Sequence, residues 1–181
     1  MASYISLLRG VNVGGKKKLL MAELRECLEG LGFSHVRSYI QSGNLVLQSA
    51  ARSPATVSKQ VSAAILEQFG LEVPVITRRA SQWTSLIENN PYLAKSGIEA
   101  SHLHVTFLSG NPKASGLKQV ASRAVEGESI HLIGEELYMH LPHGSARTKL
   151  DNSSFQRYLG VEATTRNWRT VNKLGELSVE G

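Results

Sequence analysis

Tyr4-Ile5-Ser6-Leu7-Leu8-Arg9-Gly10-Val11-Asn12-Val13-Gly14-Gly15-Lys16-Lys17-Lys18 is a short apolar strand running into a glycine-rich, triple-lysine loop. Beyond the loop, Leu20, Leu24, Cys27, Leu28 and Leu31 recur at helical spacing and predict a helix over 19–30, ended by Gly32. His35–Gln41 and Asn44–Gln48 read as two strands around a tight turn at Ser42-Gly43. Ser53-Pro54 is a cap with proline in the first turn, and Val57, Val61, Ile65 and Phe69 form the apolar stripe of a second helix. Val73–Arg78 supplies a fourth strand. The order β-α-β-β-α-β is the ferredoxin-like unit.

The pattern then recurs. A connector helix carries Trp83, Leu86 and Ile87 on one face and stops at Asn89-Asn90-Pro91. His102–Leu108 reads as a strand and 113–125 as a helix with Leu117, Val120 and Ala124 inward. Ser129–Ile133 and Glu136–Leu141 form a hairpin around Gly134-Glu135. A helix over 152–159, a short strand over 161–165 and a final helix over 167–177 complete the set. The expected class is α+β: two ferredoxin-like subdomains with largely antiparallel sheets, over 1–79 and 101–181. A connector helix and loop over 80–100 join them, and the chain closes on a C-terminal helix.

Composition narrows the chemistry. The net charge of +5 mildly favours an anionic ligand or partner. Asp151 is the sole aspartate, and magnesium-dependent phosphoryl transfer usually rests on carboxylates, often aspartates, that hold the metal. One cysteine, Cys27, excludes an intrachain disulfide; no run is apolar enough to span a membrane, and Met1-Ala2-Ser3 leads straight into a strand. The expected location is the cytoplasm, with no membrane partner.

Gly10 to Lys17 fits the phosphate-loop pattern G-x-x-x-x-G-K-[ST] in all but its last position, where Lys17 replaces the magnesium-binding hydroxyl. An antiparallel first unit also departs from the parallel sheet of phosphate-loop folds. Two readings stay open: an anion-binding loop, or a structural turn with solvated lysines. Strand direction places this loop at the same end of the sheet as Gln41-Ser42-Gly43-Asn44. In the second unit the same logic gathers His143 to Lys149 with Arg166, Asn167 and Trp168. Arg147, Lys149 and Arg166 have few carboxylates near them in sequence, and arginine suits bidentate binding of phosphate. Thr165 or Asn167 is placed to cap the final helix.

Other groupings carry less. Leu103, Val105 and Phe107 are expected to face the helices, which turns His102, His104, His131 and His140 to the opposite face. Glu136 is the one carboxylate there, and half-exposed strand positions account for the histidines without a metal. Tyr4, Arg37, Tyr39 and Val46 are expected on the outer face of the first sheet, where an open aromatic-basic surface would stack single-stranded nucleic acid. The ribonucleoprotein signature is absent, and packing between the units explains these residues equally well. Cys27 lies on an apolar helix face, and no G-x-S-x-G elbow appears.

Leu7-Leu8-Arg9-Gly10-Val11-Asn12-Val13-Gly14-Gly15, Met21-Ala22-Glu23-Leu24-Arg25, Tyr39-Ile40-Gln41-Ser42-Gly43-Asn44 and Ala163-Thr164-Thr165-Arg166-Asn167-Trp168 together resemble the bacterial domain-of-unknown-function family sixteen ninety-seven. The resemblance runs from Tyr4 to Leu177 and implies two ferredoxin-like subdomains. It implies no established activity, cofactor or substrate. Lys16-Lys17-Lys18 stands where the family favours Lys-Asn-Lys, and Asp151 where a threonine or similar is expected.

The functional expectation is a binding protein for an anionic small molecule, nucleotide or nucleic acid. Arg9, Asn12, Gly14, Gly15, Lys16, Gln41, Ser42 and Asn44 form one candidate set, and Arg147, Lys149, Arg166 and Asn167 the second. A metal-independent enzyme using His143 as acid or base, or a protein interaction module, are the alternatives. The residues assign neither a catalytic group nor a cofactor.

Overall fold

The structure, a computed structural model, describes residues 1–179. It divides into two compact units, one holding Met1–Thr84 with Leu174–Val179, the other Ser85–Lys173. The expected α+β class is met: two four-stranded antiparallel sheets and six α-helices among the described residues. None of these helices is long and apolar enough to cross a membrane.

In the first unit the order is β1 (Ala2–Leu8), α1 (Met21–Gly30), β2 (Ser34–Tyr39), β3 (Asn44–Ser49), α2 (Pro54–Phe69) and β4 (Val75–Arg79). The sheet order is β2-β3-β1-β4. Ser53 caps α2 by accepting from the Thr56 N–H at 3.1 Å, Pro54 opens the helix, and Gly70 closes it at a φ of 67°. α1 begins two residues later than the spacing predicts, so Leu20 and Leu31 are exposed and Met21, Leu24 and Leu28 face the core.

Register corrects one expectation about this sheet. Tyr4 pairs with Leu47 and lies on the helix face, fully buried, its hydroxyl donating to the Ala51 carbonyl at 2.6 Å. Arg37, Tyr39 and Val46 do lie on the outer face as expected, Arg37 and Tyr39 half-buried, together with Ile5, Leu7 and Ile76, which like Val46 are buried.

The second unit is entered through α3 (Trp83–Glu88). It continues through β5 (Leu103–Leu108), α4 (Ala114–Ala121), β6 (Ser129–Ile133), β7 (Glu136–His140), α5 (Asn152–Leu159), β8 (Ala163–Asn167) and α6 (Trp168–Val179). The sheet order β6-β7-β5-β8 repeats that of the first unit, with β6 and β8 on the edges. β8 ends two residues beyond the expected strand, because pairing with β5 continues through His104 and Asn167. Asp151 caps α5, its Oδ1 accepting from the Ser154 N–H at 2.7 Å, so the sole aspartate serves a helix end.

In β5 the faces are the reverse of the expectation. Leu108, Leu137, Met139 and Ala163 pack with Phe155 and Leu159 in the helix-side core, which places His104 and Thr106 on the helix face. Leu103, Val105 and Phe107 lie on the other face and are also buried. His131 and His140 share that second face, whereas His104 does not. Burial pushes the His104 pKa down. An imidazole held below its unfolded value is neutral in both states well above the ordinary histidine range, so it has no effect on stability there. As pH falls through about 6.5, the unfolded chain takes up the proton first, and stability declines. Thermal melts are expected to show this acid-side loss, reduced in His104→Asn; a pH-independent difference between the two proteins refutes the assignment.

Candidate functional site

The loop after β1 is anchored at its root. The Leu8 N–H donates to Gly43 O at 2.8 Å and the Arg9 N–H to Pro74 O at 3.0 Å. Lys16 N–H then closes on Val13 O at 3.1 Å, and Asn12 N–H on Lys17 O at 3.1 Å. With Gly14 and Gly15 both at positive φ, this is a two-residue turn of the primed type, and the loop is a miniature hairpin. The phosphate-loop reading fails on this geometry. The Lys16 amide is committed to Val13, and α1 does not begin until Met21, so the glycine amides do not open onto a helix N-terminus.

Asn12 fixes where the hairpin points. Its Nδ2 donates to Leu19 O at 2.8 Å and Gln41 O at 2.7 Å, while its Oδ1 accepts from the Leu19 N–H at 2.9 Å. One amide thus ties together the loop, the entry to α1 and the β2–β3 turn. The two segments that strand direction places at one end do meet there. Asn44 acts likewise: fully buried, it donates to Tyr39 O and Ser42 Oγ, each at 3.0 Å. Gly43, at a φ of 79°, lies where a Cβ would come within 2.6 Å of the Leu8 and Val11 side chains. Asn12, Asn44 and Gly43 shape this end. Lys16, Lys18 and Gln41 are exposed around them, with Arg9 and Ser42 half-buried. Lys17 turns back and donates to the Glu72 carbonyl.

The second candidate set divides. Arg166 lies opposite Val105 on β8, and its Nη1 donates to Thr164 Oγ1 at 2.8 Å and Thr165 O at 2.9 Å. Burial lowers its pKa to about 10, which leaves it charged at neutral pH. Asn167 accepts from the Thr170 N–H at 2.9 Å and caps α6, as its sequence position allows. Arg147 and Lys149 stand exposed on the β7–α5 loop, which is tied down by Thr148 Oγ1 donating to Glu128 and by Arg123 Nε donating to Lys149 O. His143 sits on the same loop with its Nε2 3.1 Å from Glu126 O, an interaction with main chain rather than a reactive neighbour.

Two pockets lie elsewhere. One of about 550 Å³ opens at the β8–α6 junction, lined by Ser101, Asn167, Trp168, Arg169 and Asn172. The reading from sequence includes Asn167 and omits Arg169 and Asn172; their i,i+3 spacing just after the strand exit is the signal that finds them. The other, about 440 Å³, lies in the first unit among Ser3, Arg79, Ser81, Thr84 and Ser178. No three His, Cys, Asp or Glu residues come together as a metal site among the described residues.

A family model described as protein of unknown function (DUF1697) matches residues 1–138. The Ala163–Trp168 motif lies beyond that match. No curated protein matches the chain. The solved structure of conserved bacterial protein SP0830 from Streptococcus pneumoniae is similar at 22% identity, covering 98% of each chain with a TM-score of 0.73. At that identity the likeness is one of fold.

Proposed function

The chain belongs to the DUF1697 family of proteins of unknown function, and from the geometry of its own basic end we propose that it binds a phosphate-bearing anion there. The observation that carries this is the Asn12 side chain, whose three hydrogen bonds hold a lysine-tipped hairpin against the Gln41–Ser42 turn. Residues 9–20 contain four basic side chains and no acidic one. In this reading Arg9, Lys16, Lys18, Gln41 and Ser42 contact the ligand, while Asn12, Gly14, Gly15 and Asn44 hold the shape. Arg147 and Lys149 give the second unit its own basic surface, with Arg166 and Asn167 in support. The hairpin projects rather than encloses, which favours an extended phosphate backbone or a nucleotide over an engulfed metabolite. The single half-buried cysteine suits a cytoplasmic protein.

Fluorescence anisotropy with a short single-stranded oligonucleotide, competed by free nucleotide and by inorganic phosphate, tests the assignment. Lys16→Ala with Lys18→Ala is expected to weaken binding and to reduce the slope of log K against log salt by about 1.4, two phosphate contacts' worth. Binding that is undiminished in that variant refutes the proposal.

A second reading has its own observation. Val13, Leu20 and Ile40 are 63%, 61% and 52% exposed, and each is one residue away from a group in the Asn12 hydrogen-bond cluster. Ile40 also holds a φ of 50°, uncommon for a β-branched residue. Exposed apolar side chains rimmed by lysines fit protein docking. Binding that is lost in Ile40→Ser and insensitive to salt assigns this end to a protein partner.

A further inference from the structure

We propose that Lys95, His102 and His140 form an anion subsite on the second unit, seated against the Tyr92 ring and taking a phosphate- or sulfate-type group. This is a site separate from the basic end of the first unit.

The fold brings these residues together from three segments. His140 ends β7, where register sets it beside Leu103 on β5 and Ser129 on β6. His102 is the last residue of the 3-10 turn that leads into β5, and its ring centroid lies 6.1 Å from that of His140. The Tyr92 ring approaches His140 at 6.0 Å. Lys95 follows one turn later, its N–H donating to Tyr92 O at 3.2 Å and its Nζ 4.9 Å from the Tyr92 ring centre. One lysine and two imidazoles therefore line a single patch whose floor is aromatic. Glu99 is the carboxylate that reaches it, with Oε2 3.8 Å from His102 Nε2. That separation is too long for a hydrogen bond, and the Glu99 side chain is 74% exposed, so an incoming anion displaces it readily.

The electrostatics agree with the geometry. Burial first, then His102 and Lys95, push the His140 pKa down, which agrees with basic groups gathered around this imidazole. His104 couples to His102 from the helix face of the sheet. His131 and Glu136 lie farther along the His140 face, and Tyr92 is held neutral by burial. A bound dianion reverses the local field and favours protonated imidazoles. Binding thus takes up protons, and affinity rises as pH falls through the histidine range. A metal cation is the poorer occupant, because Lys95 repels it and, among the described residues, no three His, Cys, Asp or Glu side chains come together there as a metal site.

Sodium sulfate is the probe, since it stays a dianion across the range and any pH dependence belongs to the protein. Calorimetry on the full chain at pH 5.5, 6.5 and 7.5, at constant ionic strength, gives the affinity; proton NMR of the histidine ring C–H signals gives the titrations. Sulfate is expected to bind about tenfold tighter at the lowest pH than at the highest, corresponding to uptake of part of a proton. Saturating sulfate is expected to raise the titration midpoint of His140. Lys95→Ala, at an exposed position that leaves the fold intact, weakens binding severalfold and shrinks that shift. Lys16→Ala with Lys18→Ala leaves both unchanged, so a failure here is distinguishable from a failure at the basic end. A His140 midpoint that sulfate does not move, an affinity independent of pH, or binding abolished by the Lys16 and Lys18 changes overturns the proposal.

Discussion

Gly116→Ala will lower the melting temperature by on the order of ten degrees, against its own helix propensity. Gly116 lies inside α4 with ordinary helical backbone, where alanine is intrinsically better by about 1 kcal/mol. Packing decides the other way. A Cβ at this position would sit 1.9 Å from the Tyr158 carbonyl oxygen, 2.6 Å from its carbon and 3.3 Å from the Leu159 nitrogen. These are main-chain atoms of α5, which cannot swing aside as a side-chain tip does. Relief requires the two helices to part, and overpacking of this kind costs about 3 kcal/mol or more. For a chain of this length each kcal/mol corresponds to roughly 2–4 °C. Gly30, at the end of α1 with open space around it, is the control: Gly30→Ala leaves stability unchanged or raises it slightly. Circular-dichroism melts of both variants decide the matter. A Gly116→Ala protein as stable as the parent would mean that α4 and α5 are not in this close contact.

Asn12→Ala carries the second large effect, and it separates shape from charge. The substitution leaves the Leu19 N–H, at a residue only 2% exposed, without its acceptor, and removes the donor from two carbonyls. Each unmet buried group costs about 1–3 kcal/mol. Alanine also tolerates the positive φ of 54° less well than asparagine. The expected loss is about 3 kcal/mol in denaturant titrations, by these same unpaired-group costs. Asn12→Asp keeps the acceptor for Leu19 but sets a carboxylate against two carbonyl oxygens, so it is no rescue. The functional result matters more. Every lysine remains in Asn12→Ala, yet anion affinity at the basic end is expected to fall, because the hairpin that carries Lys16 loses its tie to the Gln41 carbonyl. Unchanged affinity would mean that the lysines act as solvated charges, independent of the loop's shape.

The element order was readable because each helix stripe keeps its period and each turn carries its glycine. Which way the strands face was not. Tyr4, Ile5, Leu7 and Leu8 are all at most 1% exposed, so in β1 apolar residues occupy both faces and alternation carries no inside-or-outside signal. The same holds in β5, where Leu103 through Leu108 are buried throughout, and His104 turned inward as a consequence. The juxtaposition of the Gly-Lys loop with the Gln41 turn followed from strand direction alone. The part played by Asn12 did not, since its partners Leu19 and Gln41 become neighbours only in the folded chain. A glycine-rich basic run looks alike in sequence whether its glycine amides open onto a helix N-terminus or its ends close a hairpin; the hydrogen bond from Lys16 to Val13 makes the difference.

The last helix bears on how the protein can be taken apart. α6 starts behind the Asn167 cap as part of the second unit, while its final turns group with the first, where Arg37 Nη2 reaches Leu177 O at 2.6 Å. The first unit is therefore discontinuous in sequence. Cutting the polypeptide once, between Thr84 and Ser85, yields a front fragment that lacks its own closing turns and a back fragment that carries someone else's. The halves resemble each other in plan without being interchangeable modules, and a transplanted first half would have to bring a second, detached piece of chain with it.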